Sequence, residues 1–228
     1  QALDIAVANL EAVAGVDIHV QSLNAVEVGG VGDITVSYAR FDSGSTDVTD
    51  LDLAGVDAGG DAKLLSAGAV TVSETFVAGG DALIRTTAGD IIPDADVTAG
   101  ALATVIAAAG VSQNADIAAG GDLYVEALAG DVAMADGTSG TAGGNLRYAA
   151  AGDILVSELT AAAGDASLTA GNDILDNTAL EAANVTALGL RLAAGGSVGG
   201  ANGDADDVNE QALDIAVANL EAVAGVDI

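Results

Sequence analysis

Short runs of alternating apolar and polar residues recur along the chain, and Gly-Asp or Gly-Asn opens most of them. After the Asp or Asn, the first and third residues are usually apolar, as Leu123 and Val125 are after Asp122. This two-residue period is typical of a strand with one buried face. The openings are Gly32-Asp33, Gly60-Asp61, Gly80-Asp81, Gly89-Asp90, Gly121-Asp122, Gly130-Asp131, Gly144-Asn145, Gly152-Asp153 and Gly164-Asp165.

The spacing of these openings predicts how the strands are arranged. Asp61 and Asp81 are 20 residues apart, and a second strand start follows eight or nine residues after the first. Tight two-residue hairpin turns of the Asn-Gly type are scarce, which disfavours an antiparallel meander. Parallel coiling is the better solution, with glycine supplying positive φ angles at the corners. We therefore predict an all-β fold, a parallel β-solenoid of about ten coils, each of 20–23 residues.

A much longer repeat frames the chain. Residues 1–18 and 211–228 both read QALDIAVANLEAVAGVDI, an offset of 210 residues. Eighteen identities are not a chance event, and tandem repeats build long, quasi-one-dimensional molecules. We therefore expect residues 1–210 to form one long repeat, with 211–228 as the start of the next identical one. No signal peptide is visible from Gln1 onward, so we expect either an excerpt of a longer chain or a mature segment.

Three details of the pattern leave alternatives open. Residues 2–14 fit either an Ala-rich helix or strands, and strands are favoured because a helix would interrupt the coils; Leu3, Ile5, Val7 and Val16 would then point inward. Residues 42–61 are irregular and predict a longer loop that bulges from one coil. Four side chains fall on the outward register. They could form an apolar stripe for lateral bundling, or bends at those turns could bring them inside: Leu83, Ile92, Leu155 and Leu175.

Composition narrows the function classes. The chain has 34 acidic and five basic residues, a formal charge of −29, so it would repel nucleic acid. Yet 51% of its residues are hydrophobic, which argues against intrinsic disorder. Aromatic residues make up 2%, and of the tyrosines we expect Tyr38 and Tyr148 to be buried. No window has the length and hydropathy of a membrane helix, so we expect no membrane insertion.

Three segments of the chain resemble a known family. The segments AGGDLYVEALAGDVAMADG (119–137), GGNLRYAAAGDILVSELTAAAGDASLTAGNDIL (143–175) and LRLAAGGSVGG (190–200) are similar to the repeat region of filamentous-haemagglutinin-like adhesins. The resemblance covers roughly residues 59–200 well and the rest loosely. It implies a right-handed parallel β-helix shaft in a large secreted bacterial protein, and export to the cell surface or beyond.

Candidate chemistry is sparse. The single histidine, His19, lies at an outward strand position. The five basic residues are spread along the chain, and each is expected to pair locally with carboxylates: Arg40, Lys63, Arg85, Arg147 and Arg191. Carboxylates are plentiful, with dense groups at 42–57, at 94–96 and at 204–210.

The segment NGDADD (202–207) has an oxygen-rich composition that suits calcium, although it matches no known calcium-loop pattern. Asp204, Asp206 and Asp207 are therefore candidate calcium ligands, and the alternative is a solvated acidic surface that keeps a fibre soluble. We expect no other cofactor.

These observations predict a non-catalytic structural unit of a long extracellular or cell-surface filament or adhesin shaft, with other copies of itself as partners. The alternative is a glycan- or cell-binding adhesin module. A polysaccharide-degrading β-helix enzyme is less favoured, because such enzymes need clustered acids and bases in a cleft.

Overall fold

A computed structural model describes residues 1–179, 182–199 and 212–228. Within these ranges every regular element is a β-strand, and no helix that could span a membrane is found there. The strands stack in parallel as a β-solenoid of about nine turns with a spacing of roughly 21 residues, which confirms the predicted fold class. The number of turns is slightly below ten because one segment leaves the coils, as described below.

Each complete coil contributes one strand to each of three faces. The first face contains β3 (Ala12–Ala14), β8 (Val56–Ala58), β11 (Phe76–Ala78), β14 (Val97–Ala99), β17 (Ile117–Ala119), β20 (Ser139–Ala142) and β23 (Glu158–Ala161). The second face contains β1 (Leu3–Ile5), β4 (Ile18–Ser22), β9 (Ala62–Ser66), β12 (Ala82–Thr86), β15 (Ala103–Ala107), β18 (Leu123–Ala127), β21 (Leu146–Ala150) and β24 (Ala166–Ala170). The third face contains β2 (Asn9–Leu10), β5 (Val26–Val28), β10 (Val70–Val72), β13 (Ile91–Pro93), β16 (Val111–Gln113), β19 (Val132–Met134), β22 (Ile154–Val156) and β25 (Ile174–Asp176).

Two longer strands join the first two faces near the C-terminal end. β26 (Val185–Ala194) and β27 (Ile215–Ala224) run through the corner between these faces, so that both faces belong to one 17-stranded sheet. The third face is a separate sheet of eight strands. Every pairing in these two sheets is parallel, which requires each strand to donate to and accept from the coils on either side.

One hairpin interrupts the coils, and the sequence pattern did not reveal it. β6 (Ile34–Ala39) and β7 (Ser45–Asp50) pair antiparallel with each other and with no strand of the solenoid. The expected coil strand after Asp33 is therefore wrong, and so is the expected burial of Tyr38, which is 52% exposed. A bulge exists where one was predicted at 42–61, but it begins earlier, ends before β8 (Val56–Ala58) and has regular secondary structure.

The core is a stack of small and branched side chains inside the coils. Along the third face, for example, Val70, Ile91 and Val111 lie over one another and are buried. In-register stacking of this kind places each side chain against its counterpart one coil away. The alternation predicted from sequence is confirmed for Leu123 and Val125, as it is for Ile154 and Val156 on the third face.

One large side chain crosses the interior and connects all three faces. The phenol of Tyr148, on the second face, donates a hydrogen bond of 2.9 Å to Oε1 of the buried Gln113 on the third face. The Nε2 amide of Gln113 donates to the carbonyl of Ser139 on the first face, at 2.8 Å. Gly140 is required beside them, because any Cβ there would overlap the Tyr148 hydroxyl. A polar bridge thus links the three faces inside an apolar core.

Columns of glycine occur at the corners mainly because a side chain would not fit there, and less because the backbone needs a positive φ. Gly15, Gly59, Gly79, Gly100, Gly120 and Gly143 form one such column. A Cβ at Gly79 would overlap the carbonyl oxygen of Gly59 directly beneath it, although Gly79 has an ordinary φ. A positive φ, as expected from the sequence, occurs at Gly89, where it is 82°. Close stacking of backbone on backbone therefore explains most of this column.

The two copies of the 18-residue sequence take different registers. In the first copy, residues 2–14 form strands rather than a helix, as favoured, and Ala14 pairs with Ala58 on the first face. In the second copy, the equivalent Ala224 pairs with Ala194 on the second face. A segment of small residues fits either face, because on both faces every second side chain points inward.

The N-terminal side chains depart in part from the predicted inward positions. Leu3 is in register with the buried Val20 and lies on the inward side, but it is 65% exposed because it belongs to the first coil. Val7 and Val16 lie between strands and are exposed, so their predicted inward orientation is wrong.

The glycine column predicts a large effect of one methyl group. Gly79→Ala should lower the free energy of unfolding by about 1–3 kcal/mol, because the added Cβ forces two coils apart. Gly15→Ala is the matched control, since its Cβ would meet no atom within 4 Å. Urea unfolding followed by circular dichroism measures both; equal stability of the two variants would contradict the close-approach explanation.

The internal bridge predicts a second effect. Tyr148→Phe should lower the free energy of unfolding by about 1–3 kcal/mol, because it leaves the buried Gln113 Oε1 without its donor. Tyr38→Phe, at a position that is 52% exposed, is the control and should change the free energy of unfolding by no more than about 0.5 kcal/mol in the same urea titration.

The same tyrosine predicts a pH dependence. Burial raises the pKa of Tyr148, so the folded chain keeps its phenol protonated when an unfolded tyrosine would ionise, near pH 10. This stabilisation is present below that pH and is lost as pH rises above it. Unfolding measured across alkaline pH should therefore show a steeper loss of stability for the wild type than for Tyr148→Phe; identical slopes would contradict this assignment.

Candidate functional site

The aspartates of the Gly-Asp pairs bind the backbone of the next coil. Asp17 Oδ1 accepts the amide N–H of Asp61 at 2.9 Å, and Asp61 Oδ1 accepts that of Asp81 at 3.0 Å. At a second corner, Asp131 accepts from Asp153 at 2.8 Å, and Asp153 accepts from Asp173 at 3.0 Å. These carboxylate ladders satisfy amides that the sheets leave unpaired at the turns. They are therefore structural.

The ladders also explain why glycine precedes the aspartate. A Cβ at Gly80 would lie 2.5 Å from Oδ1 of Asp61 in the coil beneath, and at Gly152 it would overlap Oδ1 of Asp131. Asn145 occupies a ladder position and accepts the amide of Asp165 through its own Oδ1, at 3.0 Å. A charged group is thus not needed for this role, and Gly-Asp and Gly-Asn are equivalent openings.

Of the dense acidic groups predicted from sequence, the two within the described residues, at 42–57 and 94–96, do not converge. Asp42 pairs with Arg40 in the hairpin loop, Asp47 bonds Ser37, and Asp52 accepts the amide of Gly32. Asp94 and Asp96 bond different residues of the next coil. In the part of the chain that the structure describes, no group of three or more His, Cys, Asp or Glu residues could hold a metal ion. The candidate calcium ligands Asp204, Asp206 and Asp207 lie outside the described residues.

Two basic residues pair locally, as expected. Lys63 Nζ lies 2.7 Å from Asp61 Oδ2, and this hydrogen bond lowers the pKa of the Asp61 carboxyl and raises that of Lys63. Arg40 lies 3.5 Å from Asp42. Arg85, Arg147 and Arg191 form no ion pair with any residue that the structure describes. The expected local pairing is therefore wrong for these three.

Arg147 and Arg191 share a rank on the second face, which the sequence did not reveal. Parallel register places Tyr124, Arg147, Ser167 and Arg191 over one another, pointing outward. Irregular coil lengths hide this alignment in the sequence, since the steps between these residues are 23, 20 and 24. The rank also continues through Thr104 and Leu83 to Lys63, so three of the five basic residues lie along it, with Arg147 and Arg191 two coils apart.

A groove of about 830 Å³ runs along this rank, at the corner between the first and second faces. Its floor is the backbone of the second face, whose apolar side chains point inward and are buried, and Leu102 and Leu220 are exposed apolar side chains at its two ends. Arg147, Arg191 and Glu221 line the outward rank, while Asp122, Asn145 and Asp165 line the corner. The charged side chains of the groove are therefore two arginines and three carboxylates.

Tyr124, Arg147 and Glu126 form a preorganised group in the groove wall. The Arg147 guanidinium lies 5.2 Å from the centre of the Tyr124 ring and donates to the phenol oxygen at 3.2 Å. The phenol donates to Glu126 at 2.8 Å. Partial burial, and then the bond to Glu126, raise the pKa of Tyr124. The stack fixes the otherwise flexible arginine at the groove surface.

The hairpin presents an apolar surface to solvent on the opposite side of its polar one. Ile34, Val36, Tyr38 and Val48 share one side of β6 and β7, and each is 50–58% exposed. The other side bears a hydrogen bond between the hydroxyls of Thr35 and Thr49, at 2.8 Å. Phe41 at the tip is fully exposed. We call the five residues Ile34, Val36, Tyr38, Phe41 and Val48 the hairpin apolar surface.

The remaining residues predicted from the sequence lie on the second and third faces. His19 is exposed on an outward strand position, as expected. Leu155 and Leu175 are outward neighbours on the third face, and Ile92 lies on the same rank further along, with all three half-buried. Leu83 lies on the second face, so the four side chains do not form one stripe.

Comparisons with protein-family models, with characterised proteins and with solved structures find no match to this chain. Of the properties that the resemblance to filamentous-haemagglutinin-like adhesins implies, the structure supports one, the parallel β-solenoid fold.

The ladders predict that amide and carboxylate are interchangeable. Asp153→Asn should keep the free energy of unfolding within about 0.5 kcal/mol of the wild type, because its Oδ1 still accepts the Asp173 amide. Asp153→Ala should lower it by about 0.5–1.5 kcal/mol, because that amide loses its partner. Urea unfolding at constant ionic strength is the measurement; equal losses in both variants would show that the charge, and not the acceptor, matters.

Proposed function

We propose that this chain is a non-catalytic structural segment of a long extracellular or cell-surface filament or adhesin shaft. The observation that carries the proposal is the pairing of the second copy of the repeat start. β27 lies in parallel register on β26 from Val185 opposite Ile215 to Ala194 opposite Ala224. The beginning of the next repeat thus adds a coil to the end of the previous one.

The uniformity of the coils supports the same role. Hydrogen-bond ladders, carboxylate ladders and glycine columns repeat along the solenoid, and each coil contacts its immediate neighbours. Stability then increases with each added coil and interface, as in other repeat proteins. With about nine turns and a spacing of about 4.8 Å per turn, one repeat adds roughly 40 Å of length.

The glycan-binding alternative has weaker support. Sugar recognition commonly uses exposed aromatic rings. The hairpin has two, Tyr38 and Phe41, while the half-buried Tyr124 lies under Arg147 in the groove. The coils of the solenoid themselves therefore present no freely exposed ring within the described residues. We therefore place adhesion, if the parent chain has it, outside this segment, and the extracellular location follows from the family resemblance. Calcium binding at Asp204, Asp206 and Asp207 stays a prediction.

Tandem chains of one, two and four repeats test the shaft role. Small-angle scattering and electron microscopy should show a rod of constant cross-section whose length grows by roughly 40 Å with each repeat. The single repeat is the control for cross-section. Separate globular beads, or a cross-section that grows with repeat number, would contradict a continuous shaft. Antibody labelling of intact source cells tests the location.

A further inference from the structure

We propose that residues 184–198 form a docking surface for residues 1–18 of a second copy of this chain, so that two separate chains join end to end. The proposal rests on the shaft role and deepens it, because it names the partner and the surface at which two shafts meet. We call residues 184–198 the acceptor coil and residues 1–18 the donor segment. Within one chain the acceptor coil is occupied by β27 and the residues that flank it.

The first argument is that the acceptor coil holds its occupant by contacts that need no covalent connection. β27 lies along β26 in parallel register. At the start of this pairing, the fully buried Asn184 accepts the amide of Asp214 through its Oδ1, at 2.7 Å. Beyond the end of the pairing, Val226 donates to the carbonyl of Gly196 at 3.0 Å. All of these contacts join described residues on either side of 200–211, so a chain that is cut within that segment keeps every one of them.

The second argument is that the donor segment has the sequence that the acceptor coil already binds. Residues 1–18 and 211–228 are identical. The donor segment of a second copy can therefore make each contact that β27 and its flanking residues make. Addition of an extended segment to an open sheet edge is a common mode of recognition, in which backbone hydrogen bonds give affinity and alternate side chains give specificity.

The third argument is that two residues of the donor segment find a close neighbour only in the docked conformation. Val7 is 42% exposed in the first coil, whereas its equivalent Val217 packs against the core. A Cβ on Gly15 would meet no atom within 4 Å, whereas a Cβ on the equivalent Gly225 would overlap the carbonyl oxygen of Gly195. The docked conformation therefore requires the glycine and uses the valine, and the N-terminal conformation does neither.

The fourth argument is that the donor segment is loosely held in its own coil. None of residues 1–17 is buried there, and the segment contributes three strands of three, two and three residues, β1, β2 and β3. In the docked conformation the same sequence forms one continuous strand of ten residues, β27. Transfer to the acceptor coil thus exchanges three short pairings for one long pairing.

Cutting the connection in the folded full chain tests this proposal. A specific protease site is placed within 200–211, the folded chain is cut, and a fluorescent peptide of residues 1–18 is added. Fluorescence anisotropy should show saturable binding of one peptide per cut chain, because the peptide exchanges with the severed segment. The uncut chain should bind the peptide about tenfold more weakly or less, because its own segment occupies the acceptor coil at a high effective concentration.

A peptide variant and a matched control test the geometry of docking. Gly15→Ala in the peptide should weaken binding by about tenfold or more, because the added Cβ would overlap the backbone of Gly195. Val13→Ser is the control and should bind as the native peptide does, since Val13 and its equivalent Val223 are 59% and 58% exposed. Equal binding of the Gly15→Ala and native peptides would overturn the proposal, because docking in the register of β27 does not allow it.

The joining of whole chains is the decisive result. Cut chain incubated with an excess of uncut chain should form end-to-end dimers, which electron microscopy shows as rods of twice the single length, and free peptide should inhibit their formation. Uncut chain carrying Gly15→Ala should have an unchanged circular dichroism spectrum and form no dimers.

Two outcomes would contradict the joining of chains. Failure of the cut chain to bind the peptide shows that the acceptor coil does not recognise the donor segment. Binding of the peptide without dimers shows that a second copy does not release its donor segment. In both cases continuous rods from tandem repeats would leave the shaft role intact, so the two proposals fail separately.

Discussion

Parallel stacking at one strand spacing is the constraint on which the rest of this structure depends. Every side chain lies over its counterpart in the next coil, so each position must suit a column of neighbours as well as its own coil. Branched apolar residues satisfy this inside, and glycine satisfies it where backbone lies on backbone. Where a residue as large as Tyr148 points inward, a glycine in a neighbouring column, Gly140, leaves space for its ring and hydroxyl.

The same constraint accounts for much of the acidity. A turn leaves an amide facing the coil beneath, and a short side-chain acceptor such as Asp satisfies it from the same column. Asn145 shows that an amide side chain can do this as well. The carboxylate therefore serves the backbone first, and the charge it adds keeps the outer surface hydrated.

The sequence predicts the parallel solenoid because its strongest signal is local. An opening such as Gly152-Asp153 followed by alternation specifies a turn and a half-buried strand with no knowledge of distant residues. The hairpin escapes the same reasoning because Ile34, Thr35 and Val36 alternate in the same way, and a strand that leaves the coil has the same period as one that stays. For this reason the sequence predicts burial for both Tyr148 and Tyr38, although only Tyr148 is buried.

The groove could not be predicted because it depends on how the coils align. Arg147 and Arg191 are 44 residues apart, and unequal turn lengths decide whether they meet on one face. Pairing preferences between parallel coils are too similar to fix that alignment from composition. The carboxylate ladders could have been predicted, since Gly-Asp recurs at the coil period. The reason for the glycine could not, because it depends on the position of the aspartate in the coil beneath.

The different registers of the two identical 18-residue copies have a geometric consequence. Ala14 lies on the first face, whereas Ala224 lies on the second. The first copy wraps around a coil as β1, β2 and β3, whereas the second runs through one corner as the single strand β27. The same 18 residues can therefore fit the solenoid in two ways, and the angle between successive repeats about the long axis depends on which of the two the junction adopts.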